Sequence, residues 1–126
     1  MAKRKGKVLV VDDDSDVRST YKDVLQAYGY KVKAVASGEA CLKQLHTNAD
    51  EFGLVVLDVL LPAQTGYDVV EVIRANWPDL PVVMVSCKVD KLTREALDKL
   101  GASEFLEKPV DPDVLIHTVD RHIRKV

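Results

Sequence analysis

The sequence predicts an α/β fold built on a doubly wound, five-stranded parallel sheet in the order 2-1-3-4-5, with five helices on its two faces. Short apolar runs alternate five times with amphipathic segments, a pattern typical of strand–helix–strand units. Several of the runs are apolar at every position, as in strands that are buried on both faces. Right-handed crossovers then place helices on both sides of the sheet, and the stated order is common for five strands wound in this way.

The predicted strands are short and differ in polarity. The most polar run, residues 30–35, is expected at an edge of the sheet, where one side of the strand faces solvent. The third run ends in Leu54-Val55-Val56-Leu57-Asp58, so we expect Asp58 to be the first residue that leaves the core. The five predicted strands are residues 7–11, 30–35, 52–57, 82–86 and 104–107.

The predicted helices have recognisable ends and one apolar face each. N-caps are expected at Ser37, Thr65 and Asp111, and Gly29 is expected to end the first helix. Apolar residues spaced by three or four positions predict the buried faces. The residues expected to face the core are Val17, Tyr21, Val24, Leu25 and Tyr28; Ala40, Cys41 and Leu45; Val69, Val72, Ile73 and Trp77; Val89, Leu92, Ala96, Leu97 and Leu100; and Leu115, Val119 and Ile123.

The composition is that of one globular domain, which we expect to span residues 1–126 with a core over about 7–124. A net charge of −2 argues against nucleic acid or an anionic membrane as a direct partner. The longest apolar runs have four to five residues, so no signal peptide or membrane span is expected. Cys41 and Cys87 lack metal-type and disulfide-type spacing, which favours reduced thiols and a cytoplasmic location.

Polar, reactive side chains follow four of the five predicted strands. They are Asp12 and Asp13, Asp58, Ser86 and Lys108. The carboxyl ends of parallel strands meet at one edge of a sheet, where ligands of open α/β folds bind. Neighbouring carboxylates repel one another, so positive charge is required from Lys108 and from a hard divalent cation such as Mg²⁺. Such a site suits a phosphoryl group, with Asp58 as the nucleophile.

Four motifs in this order resemble the receiver domain of response regulators in two-component signalling, the CheY-like superfamily of flavodoxin-like folds. The likeness covers residues 7–124, and it is the order and spacing of the motifs together that make it specific. The motifs are Val10-Val11-Asp12-Asp13-Asp14; Leu57-Asp58 followed by Leu61-Pro62 and Gly66; Val85-Ser86; and Gly101-Ala102-Ser103 through Phe105 to Lys108-Pro109.

The resemblance implies that Asp58 accepts a phosphoryl group from a sensor histidine kinase or a phosphotransfer protein. It also implies a Mg²⁺ or Mn²⁺ ion at the same site. Asp13 would ligate this ion directly and Asp12 directly or through water. Asp58 itself and the backbone carbonyl of Leu60 would complete the protein ligands. By the same resemblance, the chain is a signalling phosphoacceptor that catalyses only its own phosphorylation and dephosphorylation, and not an enzyme acting on other substrates.

Three further roles come with the resemblance. Ser86 is implied as the hydroxyl that bonds a phosphoryl oxygen, and Lys108 as the cation that pairs with the phosphoryl group or Asp58 beside a cis Lys108–Pro109 peptide. Phe105 stands at the aromatic switch position, whose ring turns inward on activation. The surface of the fourth helix, fifth strand and fifth helix would then carry the change to an effector protein or output domain. A homodimer formed on phosphorylation is also compatible with the family.

Three residues are expected to lie around the opening of the site, and one of them departs from the usual family sequence. Cys87 follows Ser86 where the family usually has Ala or Gly, and Leu60 lies two positions beyond Asp58. Lys88 flanks the same opening. We expect these residues to control site access, and slow loss of the phosphoryl group follows because neither Leu60 nor Cys87 can orient a water molecule.

The sequence offers two alternatives to a phosphoacceptor. A phosphatase of the haloacid-dehalogenase kind would use Asp12 and Asp14 as an Asp-x-Asp motif, but the chain has Ser15 where that motif continues and no cap, and Asp58 would have no role. The second alternative is a receiver that serves only as a scaffold and is not phosphorylated. The complete set of Asp12, Asp58 and their predicted partners argues against it.

Overall fold

The computed structural model describes residues 5–87 and 91–126, with side chains described throughout these ranges except at 91–93. Five parallel strands form one sheet in the order β2-β1-β3-β4-β5, which confirms the predicted order. The strands are β1 (Lys7–Val11), β2 (Val32–Val35), β3 (Phe52–Asp58), β4 (Val82–Ser86) and β5 (Glu104–Glu107). The helices are α1 (Ser15–Ala27), α2 (Gly38–Asn48), α3 (Gly66–Asn76), α4 (Lys91–Lys99) and α5 (Pro112–His122).

The sheet separates two hydrophobic clusters because successive strand residues point to opposite faces. Val8 and Val10 of β1 pack on the side of α1 and α5, where Leu25 and Leu115 are buried. Leu9 belongs to the opposite cluster, which includes residues of α2, α3 and α4. Both faces of the sheet are therefore covered, as continuously apolar strands require.

Capping side chains begin the helices where the sequence predicted them. The Ser37 hydroxyl accepts a hydrogen bond from the Ala40 N–H, and the Asp111 side chain accepts one from Asp113 N–H. Thr65 and Asp68 form a reciprocal capping box at the start of α3. These local contacts fix where α2, α3 and α5 start beyond the carboxyl ends of the strands that precede them.

Several predicted boundaries and burials are wrong. The second strand begins at Val32 rather than at residue 30. Tyr28 is 54% exposed at the C-cap position, directly after Ala27, the last residue of α1. Ala96 is exposed because the buried face of α4 centres on Leu97.

Of three further residues predicted to face the core, one is partly buried and the side chains of the other two are not described. Trp77 follows the end of α3 and is half-buried, but it packs against the core as predicted. Val89 and the side chain of Leu92 lie outside the described residues.

Asp58 also differs from its prediction. It is the last residue of β3 and only 5% exposed, and Val59 after it is buried as well. The main chain continues the core because Val59 N–H donates to the Val85 carbonyl oxygen over 2.9 Å, and its own carbonyl oxygen accepts from Gly66 N–H over 2.8 Å. Asp58 is therefore buried at the carboxyl edge of the sheet rather than exposed to solvent there.

Replacement of Gly66 by Ala is expected to lower the free energy of unfolding by about 2–3 kcal/mol. An added Cβ would lie 2.5 Å from the backbone oxygen of Asp58 and 2.8 Å from the Cα of Val59, and backbone atoms cannot move aside easily. Urea unfolding measures the loss, and amide NMR shifts of Asp58 and Val59 report the displacement. Unchanged stability in Gly66→Ala would contradict this contact.

Gly29→Ala is the matched control. Gly29 has a φ of +108°, yet nothing lies within 4 Å of its added Cβ. Strain in the left-handed region is expected to lower stability by about 1 kcal/mol while the Asp58 and Val59 amide shifts stay as in the parent chain.

Candidate functional site

Three carboxylates meet where β1 and β3 end side by side. Asp12 and Asp13 follow β1, and Asp58 closes β3. Carboxylate oxygens from the three residues all lie within 4.8 Å of one another. Asp12 and Asp58 are buried whereas Asp13 is exposed, so the cluster has two inner charges and one at its mouth.

The ammonium group of Lys108 compensates the two inner carboxylates. Its Nζ donates to Asp12 Oδ2 over 3.0 Å and to Asp58 Oδ2 over 3.2 Å. Burial alone lowers the pKa of Lys108, but the hydrogen bonds and charges of Asp12 and Asp58 outweigh burial and raise the pKa above its usual value. Lys108 therefore remains charged and holds the ends of three strands together.

Asp58 remains incompletely compensated. Burial raises the pKa of Asp58 above its ordinary value of 3.8, and the neighbouring Asp12 charge raises it further. Lys108 opposes this shift, as does the Leu60 N–H, which donates to Asp58 Oδ1 over 3.3 Å. The net shift is upward, so additional positive charge at the site would stabilise ionised Asp58.

The other predicted site residues occupy the neighbouring strands. Ser86 is buried at the end of β4, and its carbonyl oxygen accepts from Lys108 N–H over 2.8 Å. The Lys108–Pro109 peptide is cis, as the resemblance implied. Phe105 is half-buried in β5, and the guanidinium of Arg94 lies 4.3 Å from its ring centroid. Ser86 and Lys108 thus approach Asp58 on one edge, while Phe105 lies further along β5.

Two of the three residues expected to control access to the site are described, and both are exposed. Leu60 is 65% exposed, and Cys87 is exposed directly after β4. Lys88 lies outside the described residues. The described part of this rim therefore presents a large apolar side chain and a thiol, and neither carries a carboxylate or amide.

Sequence reasoning missed Arg18 of α1. Its Nη1 donates to the backbone carbonyl oxygen of Asp12 over 2.8 Å. The sequence did contain an indication. A positive charge near the N-terminus of a helix interacts unfavourably with the helix dipole, which suggests that the side chain has a compensating acceptor elsewhere. The spacing alone did not show that this partner would be Asp12.

The arrangement has the donors of a divalent-cation site and a nucleophile beside them. Oxygen ligands from one or two carboxylates suit Mg²⁺, which keeps several of its waters. The exposed Asp13 leaves room for such waters, and Lys108 already supplies one positive charge next to Asp58. These residues fit a divalent ion, and the Asp58 carboxylate lies beside both the other acids and the Lys108 ammonium.

Comparison with known proteins gives a consistent picture. A family model described as the response regulator receiver domain matches residues 8–120. The response regulator protein FleR of Pseudomonas aeruginosa is 37% identical over 118 residues, covering 92% of this chain and 24% of that protein. A probable transcriptional regulator, ycf27, of Cyanidium caldarium is 32% identical, covering 98% of this chain and 49% of that protein. The chain therefore spans half or less of the length of these relatives.

Solved structures agree over almost the whole chain. The chemotaxis protein CheY4 of Vibrio cholerae superposes with a TM-score of 0.87 at 28% identity, covering 94% of this chain and 99% of that one. A putative response regulator from Chloroflexus aurantiacus gives a TM-score of 0.86 at 32% identity, covering 94% and 97%.

Asp58→Asn is expected to raise the free energy of unfolding near neutral pH, because it removes a buried charge that repels Asp12 while Lys108 stays paired with Asp12. The pKa of Asp58 is higher in the folded chain than its ordinary 3.8, so ionised Asp58 destabilises the fold. This destabilisation disappears as the pH falls through the raised pKa toward 3.8. The difference in the free energy of unfolding between the parent chain and Asp58→Asn shrinks over the same pH range. Urea unfolding across this pH range measures the effect.

Addition of Mg²⁺ is the control for this prediction. A bound cation stabilises the parent chain by about 2.7 kcal/mol at a hundredfold excess over its dissociation constant, and Asp58→Asn should gain less. A stability gain in Asp58→Asn that stays constant with pH would contradict a charge effect.

Proposed function

Because this chain belongs to the response-regulator receiver domain family, we propose that it is a phosphoacceptor of two-component signalling in which Asp58 is phosphorylated. The observation that carries the proposal is the buried pair of Asp12 and Asp58 bridged by the Lys108 ammonium. This arrangement holds a nucleophilic carboxylate next to fixed positive charge, and phosphoryl transfer depends mainly on such positioning and charge.

In the proposed reaction, a carboxylate oxygen of Asp58 forms a bond to phosphorus. The bond between phosphorus and the donor's nitrogen or oxygen breaks, and its electron pair leaves with the donor. Lys108 is 3.2 Å from Asp58 Oδ2 and is expected to pair with the incoming phosphoryl oxygens. Ser86, buried at the end of the adjacent strand, is proposed to donate its hydroxyl to another of these oxygens.

A Mg²⁺ or Mn²⁺ ion is proposed for the same cluster. Asp12, Asp13 and Asp58 offer oxygens within 4.8 Å of one another, and the backbone carbonyl of Leu60 is the proposed fourth protein ligand. Hard oxygen donors of this kind suit these ions. When bound, the ion neutralises negative charge on the phosphoryl oxygens.

Phosphorylation is proposed to change the surface of α4, β5 and α5. It adds roughly one to two negative charges at Asp58, and Ser86 and Lys108 interact with them only in that state. Their differential interaction can shift the population of Phe105 from its present contact with Arg94 to an inward orientation. The altered surface is the proposed signal to a downstream protein.

The proposed partners are those of a receiver. A sensor histidine kinase or phosphotransfer protein would donate the phosphoryl group, and an effector protein or output domain would receive the signal. Homodimerisation on phosphorylation is proposed as one form of output, without direct contact to nucleic acid or membrane. No described helix is long and apolar enough to cross a membrane. A cytoplasmic location is proposed from the reduced Cys41 and Cys87.

A phosphatase acting through Asp12 and Asp14 is disfavoured. The Asp14 carboxylate accepts hydrogen bonds from the N–H groups of Asp16 and Val17 and serves as the N-cap of α1. It is therefore occupied as a structural acceptor, whereas a general acid would need to reach a substrate. The proposed activity is limited to the chain's own phosphorylation and dephosphorylation.

Incubation with Mg²⁺ and acetyl phosphate is expected to add one phosphoryl group per chain, read by intact mass. Asp58→Asn should abolish the addition because the nucleophilic oxygen is replaced by an amide, and chelation of the metal should suppress it in the parent chain. A phosphoryl group found on Asp58→Asn, or none on the parent chain, would contradict the assignment.

Asp23→Asn provides the matched control. Asp23 is an exposed carboxylate of α1, so its loss changes the net charge equally without touching the cluster. It should be phosphorylated at the parent rate.

Loss of the phosphoryl group is expected to be slow. Exposed Leu60 offers no group that orients a water molecule, and exposed Cys87 is expected to narrow the approach beside Ser86. Leu60→Gln is expected to accelerate hydrolysis about tenfold, a fraction of what a positioned general base supplies. Cys87→Ala should accelerate it several-fold. The measurement is decay of the phosphorylated mass after removal of the donor.

Leu60→Met is the control, because it keeps an apolar side chain of similar volume and should leave the half-life unchanged. A parent half-life among the shortest for receiver domains, or the same half-life in Cys87→Ala, would show that water already reaches the site.

A further inference from the structure

We propose that Arg18 is a positioning residue for the divalent ion, acting through the main chain of Asp12. The inference rests on the proposed function only in taking the acidic cluster as the ion site. Arg18 lies in α1, four residues beyond the cap residue Asp14, and its Nη1 donates to the Asp12 carbonyl oxygen over 2.8 Å. The side chain is half-buried, so this bond is partly shielded from water.

Asp12 is held by four separate hydrogen bonds, of which Arg18 supplies one. Its N–H donates to Val35 O over 3.2 Å. Its Oδ1 accepts from Asp14 N–H over 3.0 Å, and its Oδ2 accepts from Lys108. The side chain and N–H of Asp12 are thus fixed by β2, the α1 cap and Lys108, whereas its carbonyl is fixed by Arg18.

Asp13 depends on that carbonyl. Its exposed carboxylate makes no hydrogen bond or ion pair with the residues that the structure describes, so only the backbone fixes the point from which this side chain reaches the ion site. The Asp12 carbonyl and the Asp13 N–H belong to one planar peptide unit. A bond that fixes the carbonyl therefore fixes the plane from which Asp13 projects toward the ion.

Charge alone predicts the opposite effect of Arg18. A guanidinium close to the acidic cluster repels a divalent cation, and it also opposes the dipole of α1. If only charge mattered, removal of Arg18 would strengthen metal binding. If Arg18 orients the Asp12–Asp13 peptide, its removal weakens metal binding in spite of the lost positive charge. The two readings differ in sign, and one measurement separates them.

The test is a Mn²⁺ titration of the full chain, with free ion counted by electron paramagnetic resonance. Arg18→Met is expected to raise the Mn²⁺ dissociation constant about tenfold, the lower range for residues that orient metal ligands. Met has a helix propensity close to that of Arg, so the variant should fold, and a thermal melt checks this. Arg18→Lys keeps the charge and one donor and should lie closer to the parent chain.

Two controls accompany the titration. Lys22→Met removes a charge from α1 one turn further on, where no described contact to Asp12 exists, and should bind Mn²⁺ as tightly as the parent chain or tighter. Asp13→Asn should weaken binding at least as much as Arg18→Met. With acetyl phosphate, Arg18→Met should need more Mg²⁺ for half-maximal phosphorylation but should approach the parent rate at saturating Mg²⁺.

An unchanged or lower Mn²⁺ dissociation constant in folded Arg18→Met overturns the proposal. Absence of Mn²⁺ binding by the parent chain overturns it as well. If the parent chain binds Mn²⁺ and Arg18→Met weakens that binding, but Asp58 takes no phosphoryl group, the positioning role stands and the phosphoacceptor function fails.

Discussion

The attraction between the Lys108 ammonium and the buried carboxylates of Asp12 and Asp58 is the interaction on which the rest of the structure depends. Two like charges at the ends of adjacent strands repel, and burial strengthens that repulsion. Lys108 reaches both at 3.0 and 3.2 Å from the end of β5, on the far side of β4. The strand order is what allows one side chain to meet both acids.

The same balance prepares the site for a ligand. Asp58 keeps a raised pKa despite Lys108, because burial and Asp12 outweigh the ammonium. In the proposed function, a divalent ion would supply the missing charge, and a phosphoryl group on Asp58 would bring oxygens to which Lys108 could turn. Arg18 adds a different contribution, since it acts on the Asp12 carbonyl rather than on a carboxylate. Lys108 thus compensates charge, and the proposed orientation of metal ligands is assigned to Arg18.

Local features of the sequence predicted most of the fold. The apolar runs, the caps at Ser37 and Asp111 and the position of the polar strand β2 all lie within a few residues of the features that they predict. Errors occurred where the outcome depended on distant packing. Tyr28 follows the apolar period but lies beyond the end of its helix, and Asp58 follows a strand but stays buried because Val59 continues the pairing with β4.

By itself the sequence determined the alternation of five strands with five helices and the polar residues that end the strands, because these signals lie in neighbouring positions. The strand order followed from the arrangement that is common for five strands wound in this way. Only the tertiary structure decided how these residues share their charges. Lys108 bridges Asp12 and Asp58, Asp13 remains exposed, and Arg18 holds a backbone oxygen six residues away in sequence. Such contacts depend on side-chain reach across strands and turns, and no local period in the chain encodes them.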